Sequence, residues 1–136
     1  MLRQATYKDI PYLAQRWYAE KGKTCFSQLP IEWTVDGCAG FLAEALDQFQ
    51  YIIMVHENNG ITAACGGILQ YDLLPPHPLV IGEWMWWGDH VKDNVKVLHA
   101  VNAWGKQHGA VLARYTLNQP GQSPTKFSET YRWEVL

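Results

Sequence analysis

The residues best suited to chemistry lie together in Gly82-Glu83-Trp84-Met85-Trp86-Trp87-Gly88-Asp89-His90, where one carboxylate stands at the head of an aromatic run. Bounded by glycines and too short for a helix, the run reads as a strand covered on both faces, and such strands are central in a sheet. Alternation along it puts Glu83, Met85 and Trp87 on one face and Trp84 and Trp86 on the other, so Glu83 sits among large apolar groups. An isolated buried carboxylate either finds a hydrogen-bond partner or has its pKa raised, and a raised pKa is what a general base near neutral pH requires. The bland reading of the same residue is structural: Glu83 half exposed at the strand start and paired with a lysine or arginine, since structural pairs also perturb pKa.

Other chemistries have weaker support. The five histidines, His56, His77, His90, His99 and His108, never form a two-ligand pattern at helix spacing with an acidic third partner, and no zinc spacing occurs, so they read as structural or surface residues. Cys25, Cys38 and Cys65 are an odd number at wide spacing, which argues against a disulfide framework and for a reducing, cytoplasmic compartment. A formal net charge of -2 with no lysine or arginine run lacks the basic stripe of a nucleic-acid surface. The seven tryptophans scatter along the chain instead of interleaving with basic residues, so most read as core. Neither a signal peptide nor a long apolar run appears, which predicts a soluble protein with no membrane partner. With 136 residues, 48% of them apolar, residues 1–136 are expected to form one domain with an ample core.

The elements that must position Glu83 follow from pattern. Leu2 to Ala5 is a candidate strand, and Asp9 before Ile10-Pro11 reads as the cap of a helix carrying Ile10, Leu13, Ala14 and Trp17 at helical spacing, with Gly22 as its stop. After a loop through Thr24 to Pro30, Val35, Cys38, Ala39, Leu42, Ala45, Leu46 and Phe49 form the apolar stripe of a second helix. Tyr51 to His56, the turn Asn58-Asn59-Gly60 and Ile61 to Tyr71 predict an antiparallel hairpin. Gly66-Gly67 inside the return strand marks a bulge or a close approach by a backbone or ligand. The proline-rich loop after Tyr71 leads into the aromatic strand, Leu79 to Trp87. Asp93 then reads as the cap of a helix whose face holds Val97, Leu98, Val101, Trp104 and Gly105, ending at Gly109. Ala110 to Leu117 should lie parallel to the aromatic strand as a crossover unit. Asn118 to Pro124 is loop, where Ser123-Pro124 can start a helical turn, and Tyr131 to Leu136 is a closing strand.

That order of elements resembles the GNAT (general N-acetyltransferase) superfamily. The opening Arg3-Gln4-Ala5-Thr6-Tyr7-Lys8-Asp9-Ile10-Pro11 is similar to the family's start, and Val101-Asn102-Ala103-Trp104-Gly105-Lys106-Gln107-His108-Gly109-Ala110 resembles the end of its main helix and the start of its fifth strand. Gly82-Glu83-Trp84-Met85-Trp86-Trp87 resembles the fourth strand of small GNAT-like proteins encoded by tailed bacteriophages. The resemblance implies an α/β (α+β) fold with a mixed central sheet, strands 1 to 4 antiparallel, a parallel crossover to strand 5, and helices on both faces.

It also implies acyl transfer from acetyl-CoA to an amine. In the family the cofactor lies where strands four and five splay, its pyrophosphate on a glycine-rich loop opening the main helix, where free backbone N–H groups and the helix dipole receive phosphate. The matching positions here are Met85, Trp86, Trp87 and Gly88 for the pantetheine and Lys92 and Asn94 for the phosphates. Between Gly88 and Gly105 there is no glycine, the loop is shorter than the family's, and Asp89 and Asp93 repel phosphate, so acetyl-CoA is expected to bind weakly or not at all. Glu83 would be the general base; where the family carries a tyrosine to protonate the thiolate, this chain has Ser128, with Tyr131 or Tyr115 as substitutes. Two functions therefore stand side by side: an N-acetyltransferase with a degenerate loop, or a non-catalytic structural or partner-binding protein such as a virion component, associating through exposed aromatics. Three tryptophans, Trp84, Trp86 and Trp104, are expected in one core and Trp33 at an interface.

Overall fold

In the computed structural model the described residues are 1–21, 32–117 and 130–136. The expected stop at Gly22, the loop through Thr24 to Pro30, Cys25, the turn at Ser123-Pro124 and Ser128 lie outside them.

The strands are β1 (Leu2–Gln4), β2 (Tyr51–Glu57), β3 (Ile61–Tyr71), β4 (Leu79–Gly88), β5 (Leu112–Leu117) and β6 (Thr130–Val135). They form one sheet in sequence order, antiparallel throughout except for the parallel β4–β5 pair. The helices are α1 (Ile10–Lys21), α2 (Val35–Asp47) and α3 (Val91–Gln107). The mixed sheet with helices on both faces agrees with the expected fold class. Asn59 and Gly60, at φ 52° and 119°, make the β2–β3 turn that their tolerance of positive φ predicted.

Two cores lie on opposite faces of the sheet. One packs Leu13, Ala14 and Trp17 of α1 and Cys38, Leu42 and Ala45 of α2 onto Ile53, Val55, Ala64, Met85 and Trp87. The other packs Val97, Leu98 and Val101 of α3 onto Ile52, Ala63, Cys65, Ile81, Ala113 and Tyr115.

Three helix expectations are corrected. Asp9 is not a cap: a single 3-10 turn, Tyr7–Asp9, precedes α1, and the Asp9 carboxylate accepts from the Thr6 backbone N–H at 2.8 Å and from Arg3 at 2.7 and 2.9 Å. His90, not Asp93, is the N-cap of α3; Asp93 lies in its first turn, accepting from the Thr62 hydroxyl at 3.1 Å. Phe49 lies beyond the end of α2 and is 90% exposed, because Gln48 turns extended and takes the chain into β2 before the stripe's period completes.

Candidate active site and its closure

β4 does not alternate as a uniform strand. Its register with β3 jumps from Gly67↔Glu83 to Gly66↔Met85, leaving Trp84 as the extra residue of a β-bulge. The bulge corrects the expected faces. Trp84, Met85 and Trp87 all serve the α1/α2 core, whereas Trp86 and Trp104 pack on the α3 core, so the three tryptophans expected together are divided by the sheet.

The glycine pair opposite the bulge explains how this is accommodated. A Cβ on Gly66 would stand 2.5 Å from the Trp84 indole, and one on Gly67 would stand 2.6 Å from Val101 of α3. Each glycine is therefore the floor under a large group, on opposite faces. The Trp84 ring is held edge-on by Trp17, Phe41 and Tyr51, with ring centres 5.4, 5.0 and 6.2 Å away.

Between β4 and β5 only Val80↔Leu112, Ile81↔Ala113 and Gly82↔Arg114 pair, after which the strands part. Alternation from Ile81 and Ala113 puts Glu83 and Tyr115 on the α3 face, each one residue beyond the last paired positions of the two strands. Glu83 is half-buried. Its charge bears on Cys65, whose thiol is pushed well up by burial first and by Glu83 second. The Tyr115 hydroxyl donates to Glu134 Oε1 at 2.6 Å, and burial together with that carboxylate raises its pKa. Trp86 crosses the splay to meet the Tyr115 ring edge-on at 5.7 Å, and its indole N–H donates to the Asn94 carbonyl at 2.9 Å. What stays open is a cavity of about 330 Å³ at the mouth, lined by Glu20, Trp86, Trp87, Gly88, Asn94, Thr116 and Leu117.

Four of the six expected cofactor-binding residues, Trp86, Trp87, Gly88 and Asn94, thus line one cavity. Met85 does not: it is 1% exposed and belongs to the α1/α2 core. Lys92 is exposed and is not among the lining residues. Tyr131 lies on β6 opposite Thr116, on the other sheet face from Tyr115, with the Arg114 guanidinium 5.0 Å from its ring centre. Sequence reading missed Glu20 and Arg16. Arg16 lies 4.1 Å over the Trp87 ring and bonds Asp89 at 2.6 Å and Glu20 at 3.0 Å. The i,i+4 spacing of Arg16 and Glu20 was visible in the sequence; the link to Asp89, far along the chain, was not.

A phosphate seat at the start of α3 requires room and free donors. Only Asp89 and His90 separate β4 from α3, and a Cβ on Gly88 would stand 2.7 Å from Asn94 Cβ, so the strand end and the first helical turn touch. The Asp89 N–H is already donated to the Thr62 carbonyl at 2.8 Å. Arg16, the cation nearest the cavity mouth by these contacts, is held by two carboxylates, and Asn94 Oδ1 is a buried acceptor with no donor against it. These contacts crowd the start of α3 and occupy the cation beside it.

A second cavity, of about 370 Å³, is lined by Trp17, Glu32, Trp33, Thr34, Gly37, Cys38 and Phe41. Trp33, expected at an interface with no partner, is half-buried on its wall, with its indole nitrogen covered.

No protein-family model and no curated protein matches the chain. Solved structures do. A ribosomal-protein-alanine N-acetyltransferase from Brucella melitensis superposes with a TM-score of 0.75 at 10% identity, covering 100% of this chain and 99% of its own. Glucosamine-6-phosphate N-acetyltransferase from Arabidopsis thaliana gives 0.65 at 13% identity, over 87% and 82% of the two chains. An N-acetyltransferase from Staphylococcus aureus Mu50 gives 0.65 at 16%, over 86% and 72%. The fold is that of the GNAT acetyltransferases.

Proposed function

We propose that this GNAT-fold chain works as a non-catalytic structural or partner-binding component, with the acyl-CoA seat of the fold closed. One observation carries the reading: β4 and α3 touch at Gly88 and Asn94, where an added Cβ on the glycine would stand 2.7 Å from Asn94 Cβ. Hydrogen bonds to charged groups contribute on the order of 1.5–3 kcal/mol each, so forfeiting two or three weakens cofactor binding by roughly a hundredfold to ten-thousandfold or more. A place in a virion is in keeping with the likeness of the tryptophan strand to phage-encoded proteins. Calorimetric titration with acetyl-CoA tests the proposal. The expected dissociation constant lies above about 100 μM; micromolar or tighter binding overturns it.

A second reading, N-acetyl transfer to an amine, is favoured by the placement of Glu83 and Tyr115 on one face, just beyond the last paired positions of β4 and β5. Glu83 would take the proton of the amine directly or through a water, while Tyr115, held by Glu134, would be a reluctant acid because its pKa is raised. If acetyl transfer is measurable, Glu83→Gln should lower turnover by about a hundredfold or more with little change in donor affinity. An unaltered rate assigns Glu83 a structural role.

A further inference from the structure

Arg3, Arg16 and Arg114 are all half-buried, and the first two are neutralised where they stand. Arg3 bonds Asp9 and Glu57, and Arg16 bonds Glu20 and Asp89. Arg114 differs. Among the described residues its guanidinium forms no ion pair and donates no side-chain hydrogen bond; it is flanked by the rings of Tyr131 and Trp133, with centres 5.0 and 5.9 Å away. A guanidinium withdrawn this far from water ordinarily has an anion to offset its desolvation.

The sheet builds a seat around it. Pairing sets Ile68, Gly82, Arg114 and Trp133 side by side across β3, β4, β5 and β6, and alternation turns this row to the face away from α3. The glycine leaves a floor: a Cβ on Gly82 would stand 3.2 Å from Arg114 Nη2 and 3.4 Å from Gln70 Nε2. A charged donor and a neutral donor thus converge over one backbone position. Glu83 and Glu134, each one residue along the chain from this row, turn to the α3 face, where Glu134 accepts from Tyr115. The rim is open to solvent, with Gln70 exposed and Trp133 43% exposed. None of these residues lines either cavity described above.

We propose that Arg114 and Gln70 bind a carboxylate carried on an apolar or aromatic body, seated over Gly82 with that body against Trp133. The planar fork of a guanidinium matches the two oxygens of a carboxylate, and the flanking rings hold the fork in place before the ligand arrives. One positive charge and one neutral amide compensate a monoanion, whereas a phosphate dianion would keep charge unmatched. The seat lies on the sheet face opposite Glu83 and Tyr115, so the inference is independent of whether the splay binds acetyl-CoA.

Heteronuclear NMR on the whole chain is the test, with benzoate, N-acetylglycylphenylalanine, the amide of that dipeptide and inorganic phosphate as probes. Benzoate and the dipeptide acid should shift the Arg114 side-chain Nε–H and the Gly82 amide, saturating with dissociation constants of about 0.1–3 mM. The dipeptide amide and phosphate should bind about tenfold more weakly or worse. Gly82→Ala is the sharper variant: its methyl meets the movable end of Arg114, so the fold should survive while the seat is filled and affinity falls about tenfold. Arg114→Met keeps an apolar stem without the fork and should abolish saturable binding; should it fail to fold, Gly82→Ala and the four probes decide. Tighter binding of the dipeptide acid than of benzoate assigns the seat to the chain end of a protein partner, and the reverse to a small acid; either supports the carboxylate. No saturable shift at these groups up to about 20 mM, equal binding of acid and amide, stronger binding of phosphate, or affinity untouched by the substitutions overturns the proposal.

Discussion

Gly105 shows how a single missing methyl sets the distance between a helix and its sheet. A Cβ there would stand 2.6 Å from Ile81 Cβ and 2.7 Å from its Cγ2. In an exposed helix, glycine to alanine gains about 1 kcal/mol of helix propensity. Here the obstacle is the branched root of a buried side chain, not the end of a flexible one, and overpacking of this kind costs about 1–3 kcal/mol. The steric cost wins. Gly105→Ala should lower Tm by about 3–10 °C, read by circular dichroism; an unchanged or raised Tm would show that α3 can lift from β4 at no cost.

At the scale of elements, the entry into α1 hangs on Asp9. Its carboxylate is nearly buried and joins the Arg3 guanidinium on β1 to the Thr6 backbone at the start of the turn. The Arg3 hydrogen bond is the leading cause that holds Asp9 below its ordinary value of 3.8, against the opposing effect of burial. A carboxylate depressed in the folded state adds stability that is complete above the unfolded pKa and is lost as pH falls below it toward the folded one. Asp9→Asn keeps the shape, removes the charge and should cost about 2 kcal/mol at neutral pH, the scale of a charge-assisted bond. The gap between the variant's Tm and the wild type's should shrink on acidification below pH 3.8. A gap constant with pH would exclude Asp9 as the source.

Across the whole molecule, the sheet separates two cores that have no residue in common. Trp84→Ala empties a site enclosed by Trp17, Phe41 and Tyr51 and should cost about 3–5 kcal/mol. Gly105→Ala strains the opposite face. Substitutions without shared partners add to within about 0.5 kcal/mol, so the double variant should lose the sum of the two. Both should shift one cooperative transition, because either core depends on the same strands. Two resolved transitions in urea, or a large coupling energy, would contradict this.

Periodicity determined much of this chain. The alternation of β2 and β3, the asparagine-glycine turn, the helical spacing of the apolar residues in α1, α2 and α3, and the crossover to β5 are local patterns that hydrophobic burial reads directly. Gly66-Gly67 announced a bulge or a close approach, and both occur there, though not that Trp84 and Val101 were the groups approaching from opposite faces. The faces of β4 were beyond sequence reading, because the glycine pair marks where a bulge falls but not that the extra residue, Trp84, stands on the partner strand. One extra residue reverses every side chain after it, moving Met85 and Trp87 away from Glu83. Tertiary structure decided the rest: Trp86 and Tyr115 meeting across the splay, Arg16 bound to Asp89, and the first turn of α3 resting on Gly88, each a contact between residues whose separation in the chain carries no signal.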